Sequence, residues 1–145
     1  MKQCNVKGED GCINLKGKLN AKAAMLKVGD LNFWDNIEDD IKVLVKVLIN
    51  KGIETFGSCR GHYYPFKSNL KANVRFYTDT LGSGRIEQLI KEFNNRNIIL
   101  EKCNYQFEFT NGRPTSRIIF CISAKYRERL NQLISDFAKF IEINF

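Results

Sequence analysis

Asn36-Ile37-Glu38-Asp39-Asp40-Ile41-Lys42-Val43-Leu44-Val45-Lys46-Val47-Leu48-Ile49-Asn50-Lys51-Gly52-Ile53-Glu54-Thr55-Phe56 carries the pattern from which the fold can be read. Ile37, Ile41, Leu44, Val45, Leu48 and Ile49 recur at the spacing of one helical face. Asp35 or Asn36 is placed to cap this helix, and Glu38, Asp39 and Asp40 suit the positive end of its dipole. Gly52 follows Lys51 where a left-handed cap ends a helix. Ile53 to Phe56 then reads as a strand.

Working outward, Asn73 to Thr78 reads as a second strand, with Val74 and Phe76 on one face and Arg75 and Tyr77 on the other. A second helix is expected from Ser83 to Arg96, with Ile86, Leu89, Ile90 and Phe93 on its inner face. Tyr105-Gln106-Phe107-Glu108-Phe109 alternates as a half-buried strand does. Asn111-Gly112 signals a hairpin, and Arg113-Pro114 is expected to lengthen its connection beyond two residues. Ile118 to Ile122 is continuously apolar and reads as a central strand. A last helix spans Tyr126 to Ile141 through Leu130, Leu133, Ile134, Phe137 and Ile141. The order αββαββα predicts an α+β fold, with an antiparallel or mixed sheet of about four strands and helices on one face. Residues 36–78 and 83–123 would be its two αββ units, although their sequences are not visibly similar.

With 145 residues, the chain has the length of one domain, taken as residues 30–145. A 43% apolar composition supports a core and excludes a wholly disordered chain. Residues 1–29 form a basic N-terminal extension, with six Lys against Glu9 and Asp10. Within it, Gly8-Glu9-Asp10-Gly11 reads as the turn of a short hairpin between Cys4/Val6 and Cys12/Ile13/Leu15. The formal net charge is +7, but no Arg/Lys run of five marks a nucleic-acid motif. Phosphate contacts by the Lys-rich extension leave nucleic acid open as a partner. No apolar run is long enough to cross a membrane. Five irregularly spaced cysteines without a secretory signal are expected to be reduced thiols in a cytoplasmic protein.

Between the first two strands, Gly57-Ser58-Cys59-Arg60-Gly61-His62-Tyr63-Tyr64-Pro65-Phe66-Lys67-Ser68-Asn69-Leu70 is longer than a hairpin needs. Gly57 and Gly61 permit close approach of backbone to a ligand, and N–H groups between them can nest an anion. Arg60 suits bidentate capture of a phosphate or carboxylate, and Ser58 and His62 add donors. Gly52-Ile53-Glu54-Thr55-Phe56-Gly57-Ser58-Cys59-Arg60-Gly61, followed by Asn73-Val74-Arg75-Phe76, resembles small uncharacterised bacterial and phage proteins. Those proteins carry a G-[IV]-E-T-F-x-S-C-x-G … H … P-x-V-R-F core. This chain differs in placing His62 directly after Gly61 and Asn73 where Pro is frequent. Ser58-Cys59-Arg60-Gly61 is also similar, with one mismatch, to the Ser-Cys-Ser-Gly loop of the wybutosine-synthesis tRNA methyltransferase family.

Cys59 and His62 admit a nucleophile–base pair, half a zinc site, a structural role or a ligand-binding loop without covalent chemistry. The ligand-binding reading is preferred, with no catalytic residue, metal or cofactor assigned. Its candidate residues are Ser58, Cys59, Arg60, Gly61, His62, Tyr63, Arg75, Tyr77 and Arg117. Arg75, Tyr77, Glu108 and Arg117 are expected on one polar sheet surface meeting the loop. Phe107, Phe109 and Phe120 are assigned to packing, and Leu81-Gly82-Ser83-Gly84-Arg85 to a plain turn. The expected function is binding of an anionic, nucleotide-like small molecule, such as sequestration of a nucleotide signal by a phage anti-defence protein. An enzyme acting on RNA or a nucleotide and an inhibitor of a host protein complex stay as alternatives, and a homo-oligomer stays open.

Overall fold

The computed structural model describes residues 2–3, 12–13, 28–30, 33–59, 69–80, 82–96, 103–110, 112–123 and 126–145. Its main elements are helix α1 (Asp39–Asn50), strands β1 (Thr55–Cys59) and β2 (Asn69–Tyr77), helix α2 (Ser83–Arg96), strands β3 (Cys103–Thr110) and β4 (Arg113–Ser123), and helix α3 (Arg127–Asn144). The four strands form one sheet in the order β1-β2-β4-β3, antiparallel at every pairing. This is the expected α+β fold, in the order αββαββα. No described helix is long and apolar enough to cross a membrane.

The core lies between the helices and one sheet face. Leu70, Ala72, Val74 and Phe76 of β2 and Ile118, Phe120 and Ile122 of β4 supply that face. The buried stripes Ile41/Leu44/Val45/Leu48 of α1 and Ile86/Leu89/Ile90/Phe93 of α2 share one spacing, so the two αββ units bury equivalent helix faces. Leu130, Leu133, Ile134, Phe137 and Ile141 of α3 complete the core, and Phe120 meets Phe137 edge-on at 5.5 Å.

Local chemistry explains where the elements end. At the end of α1, Gly52 has φ 85°, its N–H donates to the Ile49 carbonyl, and the Ile53 N–H donates to the Leu48 carbonyl. Those two bonds make a Schellman cap, with Ile53 buried behind it. The start of α1 is later than expected. Trp34–Asn36 forms a separate 3-10 turn, Ile37 is extended and buried, and Glu38 is the N-cap residue through its backbone carbonyl. Burial of Ile37 beside the first turn takes precedence over a side-chain cap from Asp35 or Asn36.

The β3–β4 hairpin is tighter than expected. Thr110 pairs with Arg113, leaving two residues in the turn, with Gly112 at φ 77°. Pro114 therefore lies inside β4, just beyond the last β2 pair, Tyr77 with Thr115. No ladder N–H is required there, and its carbonyl still accepts from the Thr78 N–H. At the N-terminus, Lys2–Gln3 and Cys12–Ile13 pair in parallel, not in the antiparallel sense of the expected hairpin. Cys4, Val6 and the expected turn at Gly8–Gly11 lie outside the described residues.

Candidate functional site

The connection between β1 and β2 is shorter than the sequence suggested. β1 runs on through Gly57 and Ser58 to Cys59, and β2 already begins at Asn69. Gly57 takes φ 44° at a register shift between Phe56 and Ser58, so its freedom serves a β-bulge inside a strand. Beyond the bulge Ser58 pairs with Val74, on the helix side of the sheet, and Cys59 pairs with Asn73. Arg60, Gly61, His62 and Tyr63 lie outside the described residues.

The sheet face turned away from the helices does bring together Arg75, Arg117 and Glu108. Arg75 of β2 is directly opposite Arg117 of β4, and Arg117 is directly opposite Gln106 of β3. The Thr78–Pro114 bond fixes which rungs of β2 and β4 carry hydrogen bonds, and alternation makes Arg75–Arg117 a non-bonded rung. On such a rung the Cα atoms are only about 4.5 Å apart and the side chains are at their closest. Like charges directly opposed on a sheet destabilise it.

One carboxylate answers these two cations. Glu108 Oε1 lies 3.3 Å from Arg117 Nε, and Arg117 Nη2 donates to Glu108 Oε2 at 3.4 Å. The Arg117 Nε–H is nevertheless buried and makes no hydrogen bond among the described residues. Arg75 is half-buried, with its guanidinium 5.0 Å from the Phe56 ring centre, and no described carboxylate pairs with it. Burial first, and the Arg117 charge second, push the Arg75 pKa below its ordinary value against the weaker pull of Glu108 and Tyr77. Lys71 and Asn73 continue the same face along β2, and Asn104 and Gln106 border it on β3. Alternation alone pairs Lys71 and Asn73 with Arg75, a period-2 signal that sequence reading passed over.

Tyr77 lies on the same sheet face as Arg75 but is withdrawn from its surface. It is only 3% exposed, stacks on Phe56 at 4.5 Å, and carries the Arg113 guanidinium 3.6 Å above its ring. Arg113 also donates to both Asp79 oxygens, at 3.0 and 2.7 Å, and to Glu54 at 3.3 Å. The hydrogen bonds from Arg113 hold the Asp79 carboxyl below its ordinary pKa, and Asp79 raises Arg113 in return. Arg113 is thus a neutralised staple, whereas Arg75 and Arg117 keep an excess of positive charge.

Two packing assignments divide. Phe120 is fully buried, but Phe107 and Phe109 are 55% and 69% exposed and meet each other edge-on at 5.2 Å. They lie in the second half of β3, on the same face as the buried Cys103. Cys103, at the inner end of that strand, is a buried thiol whose pKa is pushed well up by desolvation. A thiol in that state is unreactive. The Leu81–Arg85 turn is structural where described: a Cβ at Gly82, which has φ 86°, would come to 3.0 Å from the Phe145 ring, and Ser83 Oγ donates to the Thr78 carbonyl.

The arrangement can hold an oxyanion. The Arg75–Arg117 rung puts two guanidinium groups on one face, and guanidinium groups are charge-assisted donors to oxyanions. Comparison with protein-family models, curated proteins and solved structures finds no match for this chain.

Proposed function

We propose that this chain is a non-enzymatic binding module for an anionic, nucleotide-like small molecule, with a phosphate held at Arg75 and Arg117. The single observation that carries this reading is the direct opposition of those two arginines across β2 and β4, with one carboxylate, Glu108, on the far side of Arg117. An unliganded sheet pays for that placement in repulsion and desolvation, and an oxyanion relieves both. The neighbouring donors Lys71, Asn73 and Gln106 suit an elongated polar ligand. For such a module in a phage protein, the role is sequestration of a nucleotide signal; only the phage element comes from the resemblance.

The test is retention and release. The protein is incubated with a panel of nucleotides, recovered, and denatured, and the released species are identified by mass. Intact nucleotide is expected, and Arg117→Met should weaken its binding by roughly ten-fold to a hundred-fold, the loss of one charge-assisted contact. Chemically altered nucleotide would instead make the protein an enzyme. Retention that survives Arg117→Met and is lost on deleting residues 1–18 would move the site to the basic extension.

A further inference from the structure

We propose that β3 is a self-complementary edge through which two copies of this chain join into one eight-stranded antiparallel sheet. The sheet has two edges of unlike character. β1 is five residues long and bulged at Gly57, two features that blunt an edge. β3 is eight residues long, pairs with β4 in continuous register, and contains no Lys, Pro or Gly. It carries instead the exposed aromatic pair Phe107 and Phe109.

Two independent observations say which backbone groups of β3 face outward. The Cys103 N–H donates to Asn94 Oδ1, and Asn94 Nδ2 donates to the Cys103 carbonyl, so both Cys103 groups point away from β4. The Thr78–Pro114 bond turns the even residues of β4 toward β2, so the odd ones bond β3 through its even residues. Both place the N–H and C=O groups of Tyr105, Phe107 and Phe109 on the open side. Among the described residues these groups have no backbone partner across that edge, and Asn94 closes the edge at Cys103.

A second copy related by a two-fold axis perpendicular to the sheet presents the same groups in reverse order. The register that sets Phe107 against Phe107 of the partner subunit also sets Tyr105 against Phe109 of the partner subunit. It engages all three open residues on each side in hydrogen-bonded rungs and buries four exposed phenylalanine rings. On the other face it sets Gln106 against Glu108 of the partner subunit, an amide beside a carboxylate. Moving the register by two residues one way drives Phe109 against the Cys103 that Asn94 already occupies. Moving it the other way sets Glu108 against Glu108 of the partner subunit, two like charges directly opposed. The centred register alone avoids both. It keeps all helices on one side and lays the two Arg75/Arg117 faces next to each other on the other.

Sedimentation of the full chain at micromolar concentration tests this, with a mass of twice 16.8 kDa expected. Phe107→Lys places two ammonium groups across the axis and should raise the dimer dissociation constant at least about ten-fold, while the far-UV spectrum is kept. Val43→Lys, at an exposed position on α1, should leave the dimer intact. Register is read by cross-linking. On a hydrogen-bonded rung Cα atoms are about 5.5 Å apart, within the roughly 4.4–6.8 Å that a disulfide spans. Under mild oxidation Phe107→Cys should therefore form an intersubunit disulfide faster than wild type, and Phe109→Cys should not. A monomeric wild-type chain overturns the proposal, as does a dimer indifferent to Phe107→Lys or equal cross-linking at positions 107 and 109.

Discussion

Replacing Arg75 with Met separates a ligand-binding arginine from a structural one. Met keeps most of the aliphatic stem over Phe56 and removes the charge. With an effective dielectric constant of about 20, two charges roughly 6 Å apart repel by about 3 kcal/mol. Glu108, held on Arg117 and taken as about 8 Å from Arg75, returns about 2 kcal/mol. The cation–π contact with Phe56 adds about 0.5–1 kcal/mol in favour of Arg75. These terms nearly cancel, and releasing a half-buried guanidinium from desolvation tips the balance toward Met. Arg75→Met should therefore leave stability within about 1 kcal/mol of wild type, a shift of no more than roughly 4 °C in Tm for a chain of this size. Nucleotide affinity should fall by roughly ten-fold or more, because a charge-assisted contact is worth about 1.5–3 kcal/mol. Differential scanning calorimetry and titration calorimetry on the same preparations measure the two quantities. Arg113→Met supplies the contrast: it strips Asp79, Glu54 and Tyr77 of their shared partner and should lower Tm. A large fall in Tm for Arg75→Met with unchanged affinity would refute the reasoning, since Arg75 would then be the structural residue.

The core should respond to truncation in the ordinary way: Leu44→Ala and Phe120→Ala, both at fully buried positions, should each cost about 2–5 kcal/mol in urea denaturation. Losses below about 1 kcal/mol at both would place the core elsewhere. Asp79 has its pKa lowered in the fold by Arg113, so its contribution to stability is present above the ordinary carboxylate value near 4 and is lost as pH falls through its folded value. Asp79→Asn should accordingly flatten the acid limb of a Tm–pH curve below about pH 4, and an unchanged acid limb would show that this ion pair is not linked to folding.

Element identity was legible because it depends on periodicity. The stripes of α1, α2 and α3 are continuous, and β2 alternates without a break, so three helices and four strands follow from local pattern. Element ends depend on competition between a local signal and tertiary packing. Ile37 belongs to the helical stripe by spacing, yet it is buried from an extended backbone outside α1. Gly57 has the permissive backbone of a loop residue, but here that freedom forms a bulge that lengthens β1. Pro114 reads as a strand breaker until one knows that β2 has stopped one rung earlier. In each case the deciding neighbour is remote in sequence.

The site divides along the same line. Alternation identifies Arg75 and Arg117 as residues of the polar face, but nothing local to either strand says that they face each other. That fact depends on the register of β2 against β4, which the Tyr77–Thr115 and Asn69–Ser123 rungs define at its two ends. A slip of two residues would leave every side chain on its present face and the core pattern undisturbed. It would nevertheless set Arg117 against Asn73 or Tyr77 in place of Arg75, and the concentrated charge would be gone. The hydrophobic pattern accordingly selects the faces, while the rung that opposes two arginines is compatible with folding without being required by it. Under the binding function proposed above, that rung is kept for the anion it would hold.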